Sequence, residues 1–185
     1  MLRTLLLQLR AYVQSPDPLT HAAGIIAIVV AGNQPFYPLY LYAAVGDAVW
    51  PAWLTLLSTP LFAAVPAVAR RNSLAGRAML PLVGVANTML SVKLLGVASA
   101  AQLFLLPCLL LGAMLFRPTE RAVMALVFSA TFLAYLALDG SLESTLKVFS
   151  PEEYQSIATV HAVSVAVLTV FIALLFRSIL SDQKN

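Results

Sequence analysis

Residues that carry chemistry are scarce in this sequence. There is one cysteine, Cys108, and there are two histidines, His21 and His161. A single cysteine excludes an intrachain disulfide and says nothing of redox compartment. The sequence has no His-Glu-x-x-His, no phosphate-binding glycine loop, no Gly-x-Ser-x-Gly and no paired cysteines. No catalytic residue is therefore nominated, and no metal or cofactor is expected. Charged residues make up 10% of the chain, against roughly 25% in soluble domains. The net charge of +3 comes from arginines at the ends of apolar segments rather than from a basic patch, which excludes a nucleic-acid footprint. The apolar run at residues 5–7 is too short for a signal peptide, and no small-residue cleavage site follows it. Internal repeats, low-complexity tracts and long linkers are also missing, so one domain is expected.

What is abundant is apolar sequence. It makes up 61% of the chain and comes in long blocks without polar faces. Six blocks approach the ~20 residues that cross a hydrocarbon core: 20–44, 50–69, 77–96, 100–116, 120–138 and 155–177. No alternation suggests barrel strands, so the expected fold is an all-α integral membrane protein of six transmembrane helices. The expected divisions are an interfacial amphipathic helix or tail at 1–18, a six-helix membrane domain at 19–178 and a cytoplasmic tail at 179–185. Leu2, Leu5, Leu6 and Leu9 share one face of the first segment, and Ser15-Pro16-Asp17-Pro18 ends it. Orientation follows from the basic residues. With a cytoplasmic N-terminus, Arg3, Arg10, Arg70, Arg71, Arg77, Arg117, Arg121, Arg177 and Lys184 are inside, and only Lys93 and Lys147 are outside. Both termini are then cytoplasmic, and the expected location is the inner (plasma) membrane.

Local signals refine the spans. Asn33, Gln34, Pro35 and Pro38 predict a bend or unwinding in the first, because proline removes a backbone donor. Such breaks mark binding sites in some transporters and are packing bends elsewhere. Trp50 and Trp53 mark the outer interface. A tight turn near 96–100 joins the third and fourth spans as an antiparallel hairpin. Pro118 is placed to open the fifth helix. Ser150-Pro151-Glu152-Glu153 reads as a capping box that starts the sixth. In that helix Ala158, Ala162 and Ala166 form a small-residue stripe, suited either to a homodimer interface or to packing within the bundle.

Polar groups at membrane depth need a reason. At ~1.5 Å per residue, Lys93 lies about 5 Å, Gln102 about 3 Å and His161 about 9 Å from the outer ends of their helices. With Asp47 just outside the first span, these residues are candidates for one ligand-binding layer, and Asn87 on the third span is a further candidate. Lys93 taken alone also fits a lysine that snorkels to the headgroups, and His161 alone a packed polar side chain. The ligand suited to one cation over an apolar cleft is a small lipophilic or amphiphilic molecule such as a fatty acid.

The stretch Gly96-Val-Ala-Ser-Ala-Ala-Gln-Leu-Phe-Leu-Leu-Pro107 and the later Arg117-Pro-Thr-Glu-Arg121 resemble the fourth helix and next turn of a six-helix module. It is the membrane module of bacterial class III adenylate cyclases of the mycobacterial type. Ala63-Ala-Val-Pro-Ala-Val-Ala-Arg-Arg71 extends the likeness, and residues 24–42, with Asn33, Pro35 and Tyr37, are similar to the first span of six-helix modules in sensor histidine kinases. The resemblance implies a dimeric receptor domain that signals through its last helix to a cytoplasmic cyclase or kinase effector. The chain departs from that pattern after Ser178, where the family continues into a coiled transducer and a catalytic domain. Two rival functions are a small transporter or channel, which needs a continuous polar path, and a membrane enzyme, which needs clustered acids or histidines at one interface.

Overall fold

The computed structural model describes residues 2–138 and 145–182, and the described residues are almost entirely helical with no strand. Helix α1 (Leu2–Val13) is followed by α2 (Pro18–Asn33) and α3 (Phe36–Val45). Asp17 caps α2 by accepting from the Thr20 N–H at 3.2 Å, and Pro18 occupies the first turn, where its missing donor costs nothing. The expected break in the first span falls at Gln34–Pro35. Gln34 still bonds back to Val30 at 3.0 Å, but its side chain does not mend the freed carbonyls. Gln34 Nε2 instead donates to Ser58 Oγ, 2.7 Å away in the next segment.

That bond shows where the chain reverses. Gly46, at φ 70°, ends α3, a conformation that favours glycine. The chain then returns alongside α3 as a 3₁₀ helix over Gly46–Ser58 and continues as α4 (Thr59–Arg71). Tyr37 and Leu41 of α3 cluster with Val49 and Ala52 of the returning segment. The α-helix expected over 50–69 is thus α-helical only from Thr59. Pro51 lies inside the 3₁₀ segment and Pro60 opens α4, so two donors that an α-ladder would use are missing. Thr55 Oγ1 and Ser58 Oγ donate to the carbonyls of Ala52 and Thr55 at 2.7 and 2.8 Å.

Asn72 Oδ1 then caps α5 (Ser73–Leu95) by accepting from Ala75 N at 3.0 Å. Short 3₁₀ turns at Val97–Ser99 and Ala101–Phe104 lead into α6 (Leu105–Met114). Gly96 (φ 85°) and Ala100 (φ 59°) turn the hairpin. A Cβ on Gly84 would lie 2.7 Å from Cys108 Sγ, so α5 and α6 run antiparallel at close range. A 3₁₀ turn at Pro118–Glu120 opens α7 (Arg121–Ala137), with the Glu120 carboxylate accepting from Arg117 N at 2.8 Å. Helix α8 (Pro151–Asp182) starts at the predicted capping box. Ser150 N donates to Glu153 Oε2 at 2.7 Å, and Glu153 N donates to Ser150 Oγ at 3.2 Å. The expected loop between the last two spans lies partly outside the described residues.

Among the described residues, four helical stretches are long and apolar enough to cross a membrane: Phe36–Arg71, Ser73–Leu95, Pro118–Ala137 and Pro151–Ile179. Pro18–Asn33 and Ala101–Met114 are apolar but shorter. The outward faces match a lipid solvent. Phe132 and Leu133 on α7 are 61% and 63% exposed, and Val163, Val167, Val170 and Leu174 form an exposed apolar stripe on α8. A water-soluble monomer rarely shows contiguous apolar patches of that kind. The chain has the features of a multi-pass membrane protein.

Among the described residues, one of three core clusters joins α5, α6 and α7, and the other two lie at the ends of the bundle. One, built on Ile26, Phe62, Leu80, Leu115, Ile172 and Phe176, lies beside the arginines. The other, built on Tyr37, Leu41, Leu95, Phe149 and Ile157, lies beside Lys147.

Candidate functional site

At the end remote from the arginines, the helices bury a polar cluster centred on His161. One turn of α8 exposes Thr159, Ala162 and Val163 and turns His161 inward, between the buried residues Ile157 and Val165. His161 has no solvent exposure. Its two ring nitrogens contact two other elements: Nδ1 is 2.6 Å from the Ser99 carbonyl and Nε2 is 2.8 Å from the Tyr37 hydroxyl. A carbonyl only accepts, so Nδ1 carries the proton, and a neutral ring then accepts from Tyr37 at Nε2. The Tyr37 ring stacks on the imidazole at 5.6 Å and 10°, and Phe104 meets it edge-on at 5.7 Å and 74°. Ser99 is held in turn by donating to the Gly96 carbonyl at 2.6 Å and accepting from Ala101 N at 3.3 Å. One histidine therefore ties α8 to α3 and to the α5–α6 turn.

The other candidates lie on α5 and just beyond it, at the α2–α3 break, at the reversal after α3 and on α8. Gln102 sits in the 3₁₀ turn with Phe104, and Asn87 lies one turn before Ser91 on α5. The side-chain oxygens of both are buried without a hydrogen-bond donor. Lys93 is half-buried. Leu90, Leu94 and Leu95 cluster with Tyr37, whereas Met89 and Val92 cluster with α6 and α7 residues, and helical spacing sets Lys93 nearer the second group. Asp47 is exposed at the reversal. Asn33 and Pro35 are exposed, Gln34 and Pro38 buried. Ala158 is half-buried, while Ala162 and Ala166 face outward on α8.

A second polar cluster lies at the arginine end. Arg77 is 1% exposed. Its Nη1 donates to Glu120 Oε2 at 2.8 Å and to the Leu115 carbonyl at 2.7 Å, and its Nη2 donates to Glu120 Oε1 at 2.6 Å. Arg77 Nε lies 3.7 Å from Asp17 Oδ2 without forming a hydrogen bond. Arg117 Nη2 donates to Asp17 Oδ1 at 2.6 Å, and the Thr20 and Ser73 hydroxyls donate to Asp17 Oδ2. Burial pushes the Asp17 carboxyl up, but the Thr20 hydroxyl, Arg117, Ser73 and Arg77 outweigh it and hold its pKa below the ordinary value. This cluster fastens the start of α2, the first turns of α5 and the α6–α7 turn.

Tyr37, Ser99 and Phe104 were not singled out as site residues from sequence, and neither were Asp17 and Glu120. Tyr37 and Ser99 carry no local signal, because their partner is 124 or 62 residues away. Arg77 did carry one: it follows the cap residue Asn72 by five positions, too deep for a terminal arginine that needs no partner.

Among the described residues no group of histidines, cysteines or acids could hold a metal ion. Comparison with protein-family models, with curated proteins and with solved structures returns no match.

Proposed function

We propose that the chain is a six-helix membrane receptor module whose last helix carries the output. The six crossings are α2 with α3, the returning segment with α4, α5, the stretch from Val97 through α6, α7 and α8. Supporting this reading, the 36-residue stretch Phe36–Arg71 reverses at Gly46, and Gln34 before it bonds to Ser58 on the returning arm. The arginines that bond Asp17 and Glu120 or cap α1 all lie at one end, which on the positive-inside rule is the cytoplasmic end of a plasma-membrane protein.

The observation that carries the receptor reading is His161. It is buried on α8 and bonded to α3 and to the α5–α6 turn, and Asn87 on α5 and Gln102 beyond that turn each have an amide oxygen buried without a donor. A buried acceptor without a donor costs on the order of 1–3 kcal/mol, so a small amphiphile with a donor headgroup would gain by entering there. Insertion beside His161 would then shift α8 relative to the rest, and a cyclase or kinase effector, as in the resembling modules, would read the shift. The outward Ala162 and Ala166 suit a homodimer that carries the change between two copies.

The test is thermal unfolding of the full chain in detergent with C8–C16 fatty acids and the matching alcohols. At about 100-fold over Kd a ligand stabilises by ~2.7 kcal/mol, a rise of roughly 5–10 °C for a chain of this size. The expected result is a rise in wild type that is lost in Asn87→Leu and Gln102→Leu. Equal rises in wild type and variants would remove the site. No rise with any amphiphile would remove the ligand class.

A further inference from the structure

Among the described residues, the leucine face of α1 is exposed. Residues Arg3–Arg10 are all exposed, with Leu5, Leu6 and Leu9 at 53%, 58% and 37%. Only the last turn is seated. Tyr12 donates its hydroxyl to the Ala63 carbonyl at 2.9 Å, and the Val13 carbonyl meets His21 Nδ1 at 2.9 Å. Arg70 lies over the Tyr12 ring at 4.9 Å and donates to the carbonyls of Ala11 and Tyr12 at 3.3 and 3.0 Å, closing the C-terminal end of α1. At 100° per residue, Leu5, Leu6 and Leu9 lie on the same side of the helix as Tyr12 and Val13. The leucine face therefore continues the surface on which the bundle seats Tyr12 and Val13.

We propose that α1 is a lipid-surface element that binds anionic phospholipid at the arginine end of the bundle. The proposal rests on the multi-pass membrane reading, not on the receptor reading. The charge on α1 selects a lipid surface over a protein. The charge is one-sided: the first acid in the sequence is Asp17, so Arg3 and Arg10 flank the leucines with no carboxylate on the helix, and Arg70 lies over its seated end. A helix with leucines on one face and arginines along its flank sinks its apolar side to the acyl boundary and sets the cations among the phosphates.

The test places single nitroxide labels at residues 4, 5, 6, 8, 9 and 11 of the full chain, in nanodiscs of phosphatidylcholine alone or with phosphatidylglycerol. Cys108 is buried and stays in place. Accessibility to oxygen and to a water-soluble nickel chelate is then compared. With phosphatidylglycerol, positions 5, 6 and 9 should favour oxygen and positions 4, 8 and 11 nickel. Arg3→Gln and Arg10→Gln should each lower the immersed-to-free ratio about fivefold there and leave it unchanged in phosphatidylcholine. Uniform nickel access in both lipids would overturn the proposal. So would protection of positions 5, 6 and 9 from both reagents, which means a protein partner or a second copy covers them. Immersion indifferent to phosphatidylglycerol would overturn the selectivity for anionic lipid.

Discussion

The contact between Arg77 and Glu120 allows the sharpest prediction. Arg77 is 1% exposed and its guanidinium makes two short bonds to one carboxylate. Glu120→Ala leaves that guanidinium buried with the Leu115 carbonyl at 2.7 Å and the Asp17 carboxylate at 3.7 Å. Breaking a buried pair by removing one partner costs about 3–5 kcal/mol. Asp17 already accepts from Arg117, Thr20 and Ser73, so it compensates only in part. The expected loss is therefore about 3 kcal/mol, a fall in Tm of roughly 6–12 °C.

The comparison that isolates the cause is Arg77→Met with Glu120→Leu. Removing both charges removes the desolvated ion. What remains is an unmet Leu115 carbonyl and a weakened Asp17, so the double variant should lie closer to wild type than Glu120→Ala does. Equilibrium unfolding in mixed micelles, followed by helical circular dichroism, measures both. If Glu120→Ala costs less than ~1 kcal/mol, the range of an exposed pair, then Arg77 is solvated and the argument from burial fails.

His161→Phe should cost about 2–4 kcal/mol, because the Tyr37 hydroxyl and Ser99 carbonyl are buried and each unmet group costs ~1–3 kcal/mol; the same unfolding assay reads it, and a loss under ~0.5 kcal/mol would show water reaching both groups. Gly76→Ala should destabilise by ~2 kcal/mol or more, since a Cβ there lies 2.5 Å from the Ala69 Cα as well as 2.4 Å from its Cβ; Ala69→Gly should not rescue it. Gly32→Ala meets no atom within 4 Å and sits inside α2, so it should stabilise by ~0.5–1 kcal/mol. Asp17 has a folded pKa below its unfolded value, so its contribution is fully present above the unfolded pKa of ~3.9 and is lost as pH falls through the folded one. Melting temperature should therefore drop below about pH 4 more steeply in wild type than in Asp17→Asn.

Signals made by neighbours in sequence were legible. Ser150 and Glu153 announce the start of α8 because both partners of the capping box lie within one turn. Pro35 announces the break because proline acts on its own backbone. The positions of the apolar blocks follow from composition alone. The 3₁₀ form of Gly46–Ser58 was not legible: Pro51 forbids one α-helical bond, but the i→i+3 form it leaves is selected by packing against α3. The polar clusters were harder still. Asp17 and Arg117 are a hundred residues apart, and nothing near either names the other. Lys93 stood out because a charge in an apolar block is conspicuous, whereas Tyr37 is an ordinary membrane tyrosine until His161 is set against it.

The two polar clusters divide the bundle mechanically. The members of the arginine-end cluster lie on the start of α2, on α5 and in the α6–α7 turn, and none lies on α8. Helix α8 is bonded to α3 and to the α5–α6 turn through His161, near its start, and along its later turns Val165, Leu168, Ile172 and Phe176 pack into the core. Apolar contacts tolerate sliding better than a bidentate ion pair, because they have no direction to lose. On the receptor reading this is the arrangement an output helix needs. The frame is locked at the end where an effector would sit, and His161 holds α8 where a ligand would enter. A change at His161 would then move α8 against a fixed frame, while a change at Arg77 would loosen the frame itself. Distances between labels on α8 and α7 separate the two. His161→Phe should shift the mean distance with its width kept, and Glu120→Ala should broaden it. If both variants broaden it alike, α8 is not a separate moving part.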